Sequence, residues 1–505
     1  MSSLRHVEHC ISRQQAYKHL NAFVSPPSAA SVRNAAAKFD TIPSSSPLHG
    51  RLITLKDNIA STPASNETTT CASKVLHNYI SPYPSTVATL LSRVGAIVAG
   101  KTNMDEFGMG SHSQTTHSGA IMSHLHLGDS TSQLSAGGSS GGAAVAVATG
   151  QCFAAIGTDT GGSVRLPAAW TGTVGFKPSY GRISRWGVVD YANSLDTVGV
   201  LARSVDDAAA VFGVLDAFDE RDPTALRPST RARFGRHAAR TRRNGETLRI
   251  GVPKEWNVKG LQPEVRAAWR HTLDALQRRG HALVPVSLPS TPLALGAYYI
   301  LAPAEASSNL ARYDGIRYGF RGPGPDAQIP TKDKDSEAAV LYSTTRTASF
   351  GPEVRRRILL GTYTLSSAAM QNYFIAAQRV RRAVQADFDA VFALPNPLHS
   401  STNDQDSGSV DVLLGPTAPS LPPTMELVRK AGRLEAYVAD ALTVPASLAG
   451  LPAASVPVAV PGLARRVVEG VDEQVWSAGM QVVGQFGDDE GVLEVSRLVE
   501  EIGNE

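Results

Sequence analysis

Residues 137–163 read GGSSGGAAVAVATGQCFAAIGTDTGGS, two glycine–serine clusters separated by one apolar run. No other stretch restricts the chain so strongly. Ala143–Thr149 is a block of small side chains halted by Gly150, which predicts a tightly packed helix, and CFAAIGT predicts a buried strand. Glycine loops in this setting commonly cradle phosphate. That use needs a loop ending in Gly-Lys-Ser/Thr, or three glycines spaced G-x-G-x-x-G. Neither cluster holds a lysine, and the first has only glycine doublets. Phosphate binding is disfavoured.

Acyl transfer makes different demands: a nucleophile, a base within reach, and backbone N–H groups aimed at a developing oxyanion. Asp159-Thr160-Gly161-Gly162-Ser163 can supply the hydroxyl and the donors in one turn, since glycine lets N–H groups converge without an intervening Cβ. No histidine lies in either loop. A lysine serves as base if it is neutral, and burial shifts it that way. Lys56 ends the apolar run RLITLKD, and Ser139 is available to carry a proton between lysine and nucleophile. Ser-Gly turns are common, so each residue alone says little. The combination of three carries the reading.

Along the rest of the chain, helical and strand patterns alternate. Val87–Val94 predicts a helix before the strand AIVAGK, and Ser204 caps VDDAAAVFGVL. LRIGVP, PEVRAAWRHTLDALQRRG and HALVPVSL follow one another as a βαβ unit, and DVLLGPT is a further strand before the closing helix EGVLEVSRLVEEI. Pro352–Phe392 predicts a long helix interrupted near Gly361-Thr362. One large α/β domain with a mostly parallel or mixed sheet accommodates all of this. Residues 1–45 form an N-terminal helical segment. Residues 227–245 are expected to be an arginine-rich solvated loop, with seven arginines and no acid between Arg227 and Arg243, and 396–409 a polar surface insertion.

Net charge is only +3, so no global field points to nucleic acid. The three cysteines are widely spaced, which implies a reducing compartment and no metal cage. No apolar run approaches the ~20 residues of a membrane span, so a soluble protein is expected. The opening MSSLRHVEHCISRQQAYKHL has one acid among its Arg, His and Ser residues. It suits an organelle-import segment and an ordinary amphipathic helix equally well.

The stretch GGSSGG…GTDTGGSVRLPAAWTGTVGFKPSYGRIS resembles the signature of the amidase family, and LKDNIA resembles its lysine motif. The resemblance implies an amidase signature fold, a central mixed β-sheet flanked by helices. It makes Ser163 the nucleophile, Lys56 the base, and Ser139, 24 positions before the nucleophile and after a cis peptide bond, the bridging serine in preference to Ser140. The oxyanion hole maps to the N–H groups of Thr160, Gly161 and Gly162. Within that family, YYILAPAEASSNLARYDGIRYGFR, EVRRRILLGTYTLSS and LTVPASLAGLPAASVPV are similar to the glutamine-hydrolysing subunits of tRNA-dependent amidotransferases.

That narrower resemblance implies several things. Glutamine is the substrate, with Arg357 (Arg356 second) for its carboxylate, Asp440 for its ammonium group, and Tyr298 completing the pocket. Ammonia passes to a B subunit, joined by a small third subunit, that amidates Glu-tRNA(Gln) with ATP and Mg²⁺; this chain itself needs no cofactor or metal. A mitochondrial matrix location is expected from the arginine block, polar insertion and import-like start, with a bacterial cytoplasm as the second choice. A free-standing amide hydrolase and a silent scaffold are the alternatives; intact Lys56, Ser139 and Ser163 speak against the scaffold. Two departures from the pattern are Ala136 in place of proline before GGSSGG, and the loop GSHSQTTHSGAIMSHLHLGDSTSQ.

Overall fold

The computed structural model describes residues 2–43, 46–127, 132–241, 247–322, 343–398, 409–432, 437–462 and 476–504, without the side chains of 235–241. In chain order the strands are β1 (Phe23–Ser25), β2 (Leu52–Lys56), β3 (Ile97–Thr102), β4 (Met122–Leu127), β5 (Ser132–Ser135), β6 (Ala154–Asp159) and β7 (Val174–Lys177). They continue as β8 (Thr197–Ala202), β9 (Arg249–Pro253), β10 (Ala282–Val286), β11 (Val412–Pro416), β12 (Ala453–Ala459) and β13 (Ser477–Gly484). Eleven of them form one sheet in the order β1-β3-β2-β6-β8-β7-β12-β13-β11-β9-β10, and β4 pairs with β5 separately. The sheet is mixed. Parallel pairing is confined to β3–β2–β6 on one side and β11–β9–β10 on the other, and the strands between run antiparallel.

What places the site is the β2–β6 pair. Both strands are buried along their whole length, so they read as near-continuous apolar runs. Their parallel register sets Ile53 beside Ala154 and Leu55 beside Ile156, which carries both C-terminal ends to the same side of the sheet. The small-residue helix runs Gly141–Ala148 and lies fully against the sheet; a Cβ on Gly142 would come within 2.4 Å of the Asn103 carbonyl oxygen. Larger side chains would hold the first glycine loop away from β6. A second apolar cluster joins this helix to the N-terminal helices Ser3–Ala16 and Ala29–Phe39 through Val7, Cys10, Val32, Leu52 and Ala144.

Two expectations need correction. Most of the arginine-rich stretch is not a loop but a helix, Pro228–Thr241, with residues 242–245 outside the described residues. Proline suits a helix start, and alanine and arginine are good helix formers. Arg231 turns inward to ion-pair with Asp216 and bond the Leu226 carbonyl at 2.8 Å. The helix predicted to break at Gly361-Thr362 instead continues from Pro352 to Thr364, and a second helix runs Ala376–Val391 after a π-turn at Gln371–Ile375. Gly361 serves close packing: a Cβ there would lie 1.9 Å from the Pro303 carbonyl oxygen on the Thr291–Asn309 helix. The polar insertion falls almost wholly outside the described residues. Among the described residues, no helix is long and apolar enough to cross a membrane.

Candidate active site

Lys56, the last residue of β2, is fully buried, and its Nζ donates to Ser139 Oγ at 2.8 Å, Ser140 Oγ at 2.8 Å and the Thr158 carbonyl at 3.1 Å. Burial lowers its pKa to about 7 against the opposing pull of Asp105, Asp159 and Asp196. A base poised there is partly neutral near physiological pH. The two serines differ in what else they touch. Ser140 Oγ also donates to the Thr158 carbonyl at 3.3 Å and lies against Gly157 inside the sheet. Ser139 follows a cis peptide bond, and its hydroxyl lies 3.6 Å from where a Cβ on Gly108 would be. Of the pair, Ser139 has its proton free to move.

The first loop is anchored by Asp105. Its N–H donates to the Ser139 carbonyl at 3.2 Å, and its carboxylate accepts from the N–H groups of Ser113, Gln114 and Thr115 at 2.9–3.0 Å. A Cβ on Gly138 would sit 2.3 Å from Asp105 Oδ2, so glycine is required for this approach.

The second loop begins where β6 ends. Asp159 forms a wholly buried bidentate pair with Arg165, at 2.9 and 3.0 Å, and accepts the Val164 N–H at 3.1 Å. Burial resists ionisation of Asp159, yet Arg165 overrides it and holds the carboxyl below its usual range. Arg165 is satisfied further by the Thr443 carbonyl, Gln481 and Ser447, so the pair has the additional partners a buried ion pair needs. Between them the turn Thr160–Ser163 is pressed on both sides. Gly161 packs on the Tyr298 ring, where a Cβ would be 2.6 Å from Cζ, and one on Gly162 would be 2.2 Å from Thr443 Oγ1. The loops are joined by the Ser140 N–H donating to the Ser163 carbonyl at 3.1 Å. Among the described residues, the Ser163 hydroxyl and the N–H groups of Thr160, Gly161 and Gly162 have no hydrogen-bond partner. A nucleophile and a convergent set of donors are available to a carbonyl group.

A charged pocket adjoins this turn. Asp440 is buried, its Oδ2 accepts from Ser111 Oγ at 2.6 Å and Tyr299 OH at 3.1 Å, and its Oδ1 lies 3.4 Å from where a Gly162 Cβ would be. Burial raises its pKa to about 6. Arg357 is also buried; Nε donates to Glu353 at 2.8 Å and one Nη to Tyr191 OH at 2.6 Å. Burial works against the guanidinium's charge, but the rings of Tyr191, Tyr299 and Tyr437 within 5.3–5.8 Å and the Glu353 carboxylate keep it firmly cationic. Arg356 points outward and pairs with the other oxygen of Glu353.

The structure therefore brings together Lys56 with Ser139, Ser163 with its turn, and Arg357 and Asp440 around Tyr299. Tyr298 supports Gly161 rather than touching Asp440. Sequence reasoning did not single out Tyr299, Tyr191, Glu353, Ser111 or Thr443. For Arg357 against Arg356 a signal existed: Val354, Arg357, Gly361 and Thr364 are the buried stripe of their helix at helical spacing. The divergent loop after β3 still reaches the site through Ser111.

A family model described as Amidase matches residues 5–493. The A subunit of the mitochondrial glutamyl-tRNA(Gln) amidotransferase of Ajellomyces capsulatus is 50% identical over 528 aligned residues, covering 99% of each chain. That of Coccidioides posadasii is 51% identical over 518, again with 99% of each chain covered. Among solved structures, the A subunit of the Thermotoga maritima glutamyl-tRNA(Gln) amidotransferase superposes with a TM-score of 0.71 at 29% identity, covering 99% of this chain and 91% of that one.

Proposed function

This chain belongs to the amidase family, and from that premise we propose that it is the glutamine-hydrolysing A subunit of a mitochondrial glutamyl-tRNA(Gln) amidotransferase. In this reading Arg357 holds the α-carboxylate of glutamine and Asp440 its α-ammonium group, with Tyr298 and Tyr299 forming the wall between them. Neutral Lys56 takes a proton from Ser139 as Ser139 takes one from Ser163, and Ser163 Oγ attacks the side-chain amide. The oxyanion is received by the N–H groups of Thr160, Gly161 and Gly162. Its collapse expels ammonia, protonated on its way out by the same relay run backwards. Water then cleaves the glutamyl ester to release glutamate and restore Ser163.

Ammonia is consumed by a B subunit that works on Glu-tRNA(Gln), with a small third subunit in the assembly. ATP and Mg²⁺ are used by that partner, since no step above calls for either. The observation that carries the substrate assignment is the buried Arg357 and Asp440 beside one serine turn. Opposite charges fixed so close to the nucleophile match a zwitterionic amino-acid amide, and a lipid or simple amide has no use for them.

The test is glutamine hydrolysis by the chain alone and with a co-expressed B subunit. Glutaminase activity that supports Glu-tRNA(Gln) amidation in the complex is expected. Fast hydrolysis of simple amides, indifferent to the partner, would identify a free-standing amidase instead.

A further inference from the structure

A cavity of about 1240 Å³ is lined by none of Lys56, Ser139, Ser163, Arg357 or Asp440. Its charge is unbalanced. Lys74, Arg185, Arg221, Arg312 and Arg317 line it against the acids Asp190 and Asp222. Both acids are already engaged: Asp190 pairs with Arg312 at 3.2 Å, and Asp222 accepts from the Arg185 N–H at 2.8 Å and from Thr224. Arg221 is paired with Asp219 outside the cavity.

Three cations remain. Among the described residues, Lys74, Arg185 and Arg317 have no ion-pair partner; Lys74 Nζ lies 5.2 Å from the Phe320 ring centroid, and Arg185 Nε donates to Thr224 Oγ1 at 3.1 Å. Tyr79, Trp186, Tyr313 and Phe320 also line it, with the Arg221 guanidinium 5.4 Å from the Trp186 ring and Lys74 over that of Phe320. Cations beside aromatic faces are the combination that holds a phosphate and a stacked base.

Residues 185–196 run between the cavity and the catalytic turn. On one side Arg185, Trp186 and Asp190 face the cavity. On the other, Tyr191 receives Arg357, and Asp196 accepts from Thr160 Oγ1 at 2.8 Å while also holding the N–H groups of Tyr191 and Ala192. Arg185 lies near enough to Asp196 to act on its charge.

We propose that this cavity binds a nucleoside phosphate, free or at an unpaired end of RNA, and that its occupancy changes glutamine affinity through the 185–196 segment. The phosphate meets Lys74, Arg185 and Arg317, and the base lies on the rings.

The experiment titrates the full-length protein with AMP and, separately, with short single-stranded oligoadenylate, following tryptophan fluorescence and heat. Saturable binding is expected, weakened about tenfold or more in Lys74→Ala/Arg317→Ala, two exposed positions whose loss leaves the fold and unliganded glutaminase rate intact. Preference for AMP identifies a free nucleotide as the source, and preference for oligoadenylate an RNA end. Failure of both to bind, binding indifferent to the double variant, or inorganic phosphate competing as well as AMP would each overturn the proposal. In the amidotransferase complex, saturating ligand should shift KM for glutamine by about fivefold, a typical coupling. An unchanged KM overturns the effector role. That last arm rests on the glutaminase reading and the binding arms do not, so a protein without glutaminase activity but with ligand binding refutes only the former.

Discussion

At the scale of single residues, catalysis here depends on where protons sit. Ser163→Ala removes the only hydroxyl proposed to bond the substrate, and glutamine-dependent amidation should fall by at least about 10⁴-fold. Amidation from added ammonia should persist, because the partner's chemistry is untouched; loss of both in a folded complex counts against ammonia transfer. The pH profile is a separate test. Lys56 acts only when neutral, and with a pKa of about 7 its neutral fraction drops tenfold per pH unit below that value. Asp440 can hold the ammonium group proposed for it only when ionised, and it gains its proton below about 6. So kcat/KM should climb with pH through about 7, with a steeper limb below 6 from the second proton. A flat profile between pH 5 and 8, measured as ~10-fold or smaller change, removes both assignments. Part of this was legible in the sequence, because loop chemistry declares itself in residue types: the structure joins Lys56 to Ser139 and ties the first loop to the Ser163 carbonyl. The tyrosines around Arg357 did not declare themselves, since an aromatic in an apolar helix looks like core until its neighbours across the fold are known.

Elements are legible when one periodicity dominates and obscure when a residue has two uses. Glycine illustrates the second case. Gly361 suggests a helix break, yet it is buried mid-helix because the Thr291–Asn309 and Pro352–Thr364 helices touch there. Those helices carry Tyr298 and Tyr299, and Glu353 and Arg357, so their spacing sets the pocket proposed for glutamine. Gly361→Ala must push them apart, since the obstacle is a backbone carbonyl oxygen and not a movable side chain. A cost of roughly 1–3 kcal/mol in stability is expected from such overpacking. KM for glutamine should rise more than kcat falls, because the binding arm on these helices shifts while Lys56 and the first loop, carried by other elements, stay in place. Equal losses in both constants would place the helix pair in the chemistry instead of in binding. The same ambiguity hid β12: Pro457 sits within a stretch dense in proline and glycine, but the strand pairs on both sides with β7 and β13. Arginines hid the Pro228–Thr241 helix, because a charge block looks solvated until Asp216 is brought to it by the fold.

For the whole molecule, the N-terminal helix decides what a mature chain can be. Its composition suits an import segment and a structural helix alike, and only packing separates them. Val7 and Cys10 are fully buried and Ile11 nearly so. His6 Nε2 accepts the N–H of Leu52, the first residue of β2, at 3.2 Å, and burial lowers that histidine's pKa to about 4, keeping it the neutral acceptor this bond needs. The helix thus braces the strand that ends in Lys56. Burying three such side chains is worth roughly 5 kcal/mol or more at about 25 cal/mol per Å². Deleting residues 2–16 should therefore lower the thermal midpoint by roughly 5 °C or more for a chain of this size, with glutaminase activity falling as β2 loses its brace. By the same argument, import into mitochondria must proceed without removing this helix. Terminal sequencing of the protein recovered from the matrix should find Ser3–Ala16 still attached, whatever has been trimmed ahead of it. A stable, active matrix protein beginning beyond Tyr17 would show that β2 holds without the helix, and that its residues serve import alone.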